Sequence, residues 1–193
     1  MRNALRVRLA LLLGVALLAF AAWARAAAPT AADNLLAHIE QATYVAEGRG
    51  PRLLYIFFDP NCPYCHGLYQ NLRAWVGKDG LQIRWVPVGI LTPTSEAKAA
   101  AILQAANPMA ALHQDEDDFG FADYGDSGGG IAPAMQINAK TRQALAVNLS
   151  LMEAQHIYGV PVVLFRDRSG RGQVLVGAPS SPAEVKALLA RIK

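Results

Sequence analysis

The residues with the clearest chemical potential are the two cysteines of the chain, which stand three positions apart in Cys62-Pro63-Tyr64-Cys65. If a helix begins there, both thiols fall on one face of its first turn, close enough to close a disulfide ring. Cys62 then sits at the helix N-terminus, where unpaired backbone N–H groups and the helix dipole stabilise a thiolate. In such motifs the thiol pKa falls from ~8.5 into the range ~3.5–7.5. That makes Cys62 both a nucleophile at neutral pH and a good leaving group. Cys65, one turn in and more buried, is expected to stay a thiol until it attacks a mixed disulfide on Cys62. Pro63 has no backbone N–H to leave unpaired and suits the first helical position. Thiol–disulfide exchange is the chemistry this spacing serves, and the dithiol is its own redox group, so no cofactor is expected.

The same residues admit other readings. Cys62-x-x-Cys65-His66 is also the attachment pattern of c-type haem, with Met109, Met135 and Met152 as axial candidates. That reading needs a haem pocket built from helices, whereas a buried apolar strand precedes this motif, and it gives Pro63 no role. Zinc at Cys62, Cys65 and His66 lacks a fourth ligand at suitable spacing, and no metal site is expected. A redox-inert domain with a structural disulfide is the plainest alternative. His66 is expected to be an exposed helix residue that modulates the Cys62 thiolate. His38, His113 and His156 read as surface or helix-end residues.

The elements that must position the cysteines follow from hydrophobic periodicity. Leu53 to Phe58 is a continuous apolar run, bounded by Pro51 and Pro60, and reads as a strand buried on both faces. It runs straight into the cysteine turn. Leu68, Leu72 and Val76 recur at a helical spacing up to Gly77. Leu81–Val88 reads as a second strand, Ser95–Ala106 as a helix stopped by Asn107-Pro108, and Met109–Gln114 as a shorter one. Upstream, Asp33 or Asn34 is expected to cap a helix carrying Leu35, Leu36, Ile39 and Ala42, ending at Gly48 and Gly50.

Residues 115–130 hold six of the 15 acids and end in three glycines, so they read as a solvated loop. Asp115, Asp117, Gly120 and Asp126 partly mimic a calcium loop, but Phe119 stands at a ligand position and the solvated loop is preferred. Lys140–Tyr158 is expected to be a helix closed by Gly159. Val162–Phe165 and Gln173–Gly177 form a hairpin around Arg168-Ser169-Gly170. The last helix is capped by Ser181 with Pro182 and Glu184 in a capping box. Asn148-Leu149-Ser150 falls within a helix and carries no weight. The order predicts an α/β fold, a mixed central sheet with helices on both faces and a helical insertion. Its site should lie at the carboxyl end of a central strand.

At 53% hydrophobic and 17% charged, the chain has enough apolar material for a folded core. The net charge of +3 is set by its start. Arg2, Arg6 and Arg8 precede an apolar run from Leu9 to Ala22, and Ala24-Arg25-Ala26 offers a small-x-small cleavage site, so residues 1–26 read as a signal peptide. Without them 14 basic residues face 15 acidic ones, and nothing supports nucleic-acid binding. Export would bring the thiols into an oxidising compartment, taken to be the periplasm.

One further element bears on the site. Tyr158-Gly159-Val160-Pro161 directly precedes a strand. Pro161 there is either a trans proline opening an edge strand or a cis proline that presents the Val160 backbone beside Cys62 as a template for an extended substrate.

Phe58-Asp59-Pro60-Asn61-Cys62-Pro63-Tyr64-Cys65 resembles the catalytic domain of the DsbG and DsbC thiol:disulfide interchange proteins, of the thioredoxin superfamily. The likeness continues through Val88-Gly89-Ile90, the Ala-Ala-Ala-Ile-Leu run at 99–103 and Gly159-Val160-Pro161, and covers residues 34–193. The Cys-Pro-Tyr-Cys site is nearest to the DsbG branch. The resemblance implies a thioredoxin-like fold over residues 51–193, with Cys62 as nucleophile, Cys65 as resolving thiol and Pro161 as the cis-proline. Pro63, Tyr64 and Val160 are implied to line the substrate site.

The same resemblance implies reduction or isomerisation of exported proteins with oxidised cysteines. Electrons would come from a membrane thiol reductase of the DsbD kind. Three departures qualify it. Residues 27–50 leave room for a linker-like helix but not for the branch's dimerisation domain, so a monomer is expected. Val160 replaces a commonly placed Thr, removing a hydroxyl. Ile56 stands where thioredoxin and DsbA carry an acid, so water or a distant group must take the Cys65 proton. Asp59 is expected only to shape the turn. The alternative direction is disulfide donation, with reoxidation by a quinone-linked membrane partner.

Overall fold

A computed structural model describes residues 29–121 and 128–193. The expected signal peptide at 1–26 and Asp126 of the calcium-like pattern lie outside the described residues. The chain runs α1 (Ala31–His38), β1 (Val45–Gly48), β2 (Arg52–Phe58), α2 (Pro63–Leu72) and β3 (Leu81–Pro87). It continues through α3 (Ser95–Gln104), α4 (Pro108–Asp117), α5 (Ala139–Glu153), β4 (Val162–Arg166), β5 (Gly172–Val176) and α6 (Pro182–Leu189). A five-stranded sheet has the order β1-β3-β2-β4-β5, with β2 and β3 parallel and every other pair antiparallel. Helices α3 to α5 form the insertion between β3 and β4.

Central position explains the unbroken apolar run of β2. Its side chains alternate between faces, and both faces are covered. Leu54, Ile56 and Phe58 pack with α2, α4 and α6 around Trp85, Leu68 and Val185. Tyr55 and Phe57 point the other way, against Leu35, Leu36, Leu151 and Met152 of α1 and α5. The carboxyl end of β2 therefore emerges between two packed layers and delivers Asp59 to Cys62 at the start of α2.

Several expectations are corrected. The first helix is capped by Thr30, with Asp33 as the third helical residue of a capping box. It stops at His38, and a 3₁₀ turn, Ile39–Gln41, follows it. Residues 45–48 are not helical: they form an edge strand paired to Gln82–Trp85. Helix α5 ends at Glu153, and the turn after it is made by His156 at φ 57°, not by Gly159. Ser181 does cap α6, but the Glu184 carboxylate takes the amide and hydroxyl of Ser180 rather than the Ser181 amide. Asn148 is fully buried: its amide nitrogen donates to the Thr43 and Pro87 carbonyls and its oxygen accepts from the Thr43 amide, tying α5 to the sheet.

Candidate active site

Cys62 is the N-cap of α2 and Pro63 its first helical residue. The Cys62 Sγ accepts the Cys65 backbone N–H at 3.3 Å, while the Cys62 carbonyl accepts the His66 N–H at 3.0 Å. Both cysteines are free and buried. The two thiols are driven apart in acidity. The hydrogen bond from the Cys65 side chain holds the Cys62 thiol below its ordinary pKa, helped by the amides of Cys65 and Tyr64 and opposed by burial. Burial pushes the Cys65 thiol well up, and an ionised Cys62 would push it further. A low-pKa and a high-pKa thiol in contact is the arrangement that exchange chemistry requires.

The turn that presents Cys62 is held by buried polar groups. Asp59 is fully buried and accepts four hydrogen bonds. Its Oδ1 takes the Asn61 amide at 2.9 Å and the Ser95 hydroxyl at 2.8 Å. Its Oδ2 takes the Ile90 and Leu91 amides at 2.7 and 3.0 Å. Asn61 reaches the hydroxyls of Thr92 and Thr94 through its amide nitrogen, at 2.7 and 2.9 Å. Its oxygen accepts from Lys98 Nζ at 2.8 Å, and Lys98 also donates to the Gly129 carbonyl at 2.6 Å. The Gly129 amide in turn donates to the Pro60 carbonyl. Asp59 thus shapes the turn, as expected.

The glycines at 128–130 are there for close approach. A Cβ on Gly128 would stand 1.9 Å from Asn61 Oδ1, and one on Gly129 would stand 1.9 Å from Asp115 Oδ1.

The Val160–Pro161 peptide is cis, and the Val160 carbonyl oxygen lies 3.8 Å from Cys62 Sγ. Pro63 and Tyr64 are exposed beside it, Tyr64 with 72% of its surface free. Tyr158 is exposed as well.

Two expectations about the neighbourhood fail. His66 is not an exposed helix residue. Its Nδ1 lies 3.1 Å from Glu116 Oε2, and its ring stacks on Phe119 with centroids 4.5 Å apart and meets Phe121 edge-on at 5.6 Å. Nor do residues 115–118 begin a solvated loop. Helix α4 runs on to Asp117, and both Asp115 and Glu116 are buried. They continue the buried stripe of Ala111 and Leu112 at helical spacing, the signal that could have placed them inward. Burial raises both carboxyls, Asp115 to about 8, with repulsion from Glu116 adding to it. Neither Asp115 oxygen has a hydrogen-bond partner among the described residues.

Lys98, and the side-chain roles of Ser95 and Asn61, went unsignalled in the sequence because they are tertiary. So did Glu47, 7% exposed on β1. It takes a two-pronged bond from Arg73 at 2.5 and 2.7 Å and single bonds from Trp85 Nε1 and His113 Nε2, both at 2.9 Å. His113, expected at the surface or a helix end, keeps 40% of its side chain exposed and helps to tie α4 to β1 through this contact.

The thioredoxin-like domain family model matches residues 39–193, and the chain belongs to that family. It is 37% identical over 150 residues to the thiol:disulfide interchange protein DsbG of Pseudomonas aeruginosa, a match covering 77% of this chain and 56% of the relative. It is 32% identical over 145 residues to DsbG of Escherichia coli, covering 73% of this chain and 55% of the relative. The chain therefore spans about half the length of the curated relatives it matches. Among solved structures, Proteus mirabilis ScsC in a compact conformation superposes with a TM-score of 0.61 at 16% identity, covering 97% of this chain and 92% of that one. At that identity the superposition speaks for the fold alone.

Proposed function

We propose that the protein is an exported, periplasmic thiol:disulfide oxidoreductase that reduces or isomerises oxidised cysteines of other exported proteins. The observation that carries this reading is the pairing of thiols at the start of α2. Cys62 is held below its ordinary pKa and lies against Cys65, a buried thiol held far above it.

In the proposed reaction the Cys62 thiolate attacks a substrate disulfide, one substrate sulfur leaves as thiolate, and a mixed disulfide forms. With a sulfenic acid the same attack expels the oxygen as water after protonation. Cys65 then attacks Cys62, the Cys62–substrate bond breaks, and Cys62–Cys65 becomes the disulfide. The substrate gains the electron pair that the dithiol loses. A membrane thiol reductase of the DsbD kind would return the dithiol to its reduced state, and no further cofactor is needed.

The Val160 carbonyl, 3.8 Å from Cys62, gives an extended substrate segment a backbone acceptor next to the attacking sulfur. Exposed Tyr64 and Pro63 offer it an apolar contact. Nothing in this cycle requires a second copy, and the protein is proposed to act as a monomer. Haem attachment is disfavoured by the burial of both sulfurs in the sheet's core and by Met152 lying in the cluster on the opposite face.

The test is the redox state of the pair in the exporting cell, read by acid quenching, alkylation with a mass-tagging maleimide and gel electrophoresis. A mostly reduced pair in an oxidising compartment is the expected result and means active electron supply. A mostly oxidised pair that reduced substrates convert to the dithiol would reverse the direction to disulfide donation. An oxidised pair that no substrate changes would overturn the reading.

A further inference from the structure

The cycle just proposed leaves one proton without a destination. Cys65 is fully buried, so its thiol must lose a proton inside the protein before its sulfur can attack Cys62. On β2 the buried side chains facing this layer are Leu54, Ile56 and Phe58, which can take nothing. The helical insertion brings a carboxylate instead. Glu116 is 1% exposed on α4, whose Ala111 and Leu112 share one buried cluster with Cys65, and is joined through its Oε2 to Nδ1 of His66, the residue next to Cys65. The His66 side chain keeps 15% of its surface open to solvent.

We infer that Glu116 accepts the Cys65 proton during resolution of the mixed disulfide, with His66 as the positioning residue that holds the carboxylate and returns the proton to solvent. This rests on the dithiol reading above.

The step balances within the site. The Cys65 S–H proton moves to the Glu116 carboxylate as the Cys65 sulfur bonds to Cys62 Sγ. The Cys62–substrate S–S bond breaks, and its electron pair leaves on the substrate sulfur, which solvent protonates. The hydrogen bond between Glu116 and His66 can be made in either protonation state: Nδ1–H donates to a carboxylate, and a bare Nδ1 accepts from a carboxylic acid.

Burial raises the Glu116 carboxyl, bringing its proton affinity nearer that of a thiol. Its hydrogen bond with His66 and then the charge of Arg73, the C-cap of α2, pull the other way, and Asp117 on its own helix adds to the rise. Asp115 is the poorer acceptor. At about 8 it already holds its proton at pH 7, and its charged neighbours are Lys98, Asp59 and Glu116 itself. Phe119 stacks on the His66 ring and Phe121 meets it edge-on.

The test is stopped-flow reaction of the reduced full chain with a chromogenic aromatic disulfide. One thiolate is released when Cys62 attacks and a second when Cys65 resolves. Glu116→Gln is expected to leave the first phase within about twofold and to slow the second about 10- to 100-fold at pH 7. Its second-phase rate should then climb with pH toward the wild-type value, while the wild-type rate levels off. Glu116→Asp should recover part of the rate, which a merely structural contact would not distinguish from the Gln variant.

If Glu116→Gln does not fold, His66→Gln should slow the second phase several-fold and steepen its pH profile. A second phase within twofold of wild type, with an unchanged pH profile in whichever variant folds, would overturn the assignment. A wild-type chain with no first phase would instead sink the dithiol reading itself.

Discussion

The Cys62 Sγ stands 3.8 Å from the Val160 carbonyl oxygen and 3.3 Å from the Cys65 amide, so one sulfur is held between an acceptor and a donor. The acceptor comes from the segment entering β4, 98 positions away in the chain, and the donor from the first turn of α2. As a thiol, Cys62 can donate to Val160; as a thiolate, it depends on the helix amides and the Cys65 S–H.

That dependence predicts two well-separated ionisations in the reduced protein. Thiolate absorbance should show Cys62 ionising below the ordinary value and Cys65 remaining a thiol past it. Cys65→Ala removes the largest stabilising contribution, so the Cys62 ionisation should move upward. An unmoved titration would mean that the helix terminus alone sets the acidity.

Asp59 accepts four hydrogen bonds in a fully buried position, and Asp59→Ala would leave the Ile90, Leu91 and Asn61 amides without that partner. Buried donors stripped of their acceptor cost about 1–3 kcal/mol each before relaxation. The expected outcome is a loss of at least ~3 kcal/mol in denaturant unfolding together with slower Cys62 attack, since the turn carrying Cys62 loses its frame. Stability within ~1 kcal/mol of wild type would show that Asn61 and Lys98 suffice to hold the turn.

Asp115 predicts a pH signature. Burial, with repulsion from Glu116, raises its folded pKa from the ordinary 3.8 to about 8. Protonation in the fold therefore contributes stability that is fully present below the unfolded value and is lost as pH rises through about 8. Asp115→Asn cannot ionise, so relative to wild type it should gain on the order of 4 kcal/mol more at pH 8.5 than at pH 5, most of it accruing before pH 8. Equal gains at both pH values would contradict a buried, orphaned carboxyl as the cause.

Local signals made the cysteine turn, the start of α2 and strand β2 legible, because an i, i+3 pair, a proline at the first helical position and an unbroken apolar run need no partner to be read. The same was true of the start of the last helix, marked by Ser181 and Pro182. Strand β1 was not legible. Val45-Ala46-Glu47-Gly48 turns a charged residue inward, and only Arg73, Trp85 and His113, from three other elements, make that tolerable. Asp115 and Glu116 misled for the opposite reason, since an acidic run next to glycines reads as solvated. Only the packing of α4 reveals two of its members as buried neighbours of the site. His66 followed them, because the ring that covers it, Phe119, lies outside any regular element.

The central claim is that Cys62 attacks and Cys65 resolves, and trapping tests it most directly. Cys65→Ser, expressed in the exporting cell and quenched with acid, should accumulate disulfide-linked adducts with other proteins that disappear on reduction. Cys62→Ser should form none. Adducts of equal abundance on both variants, or none on either while Cys62→Ser retains exchange activity, would contradict the account.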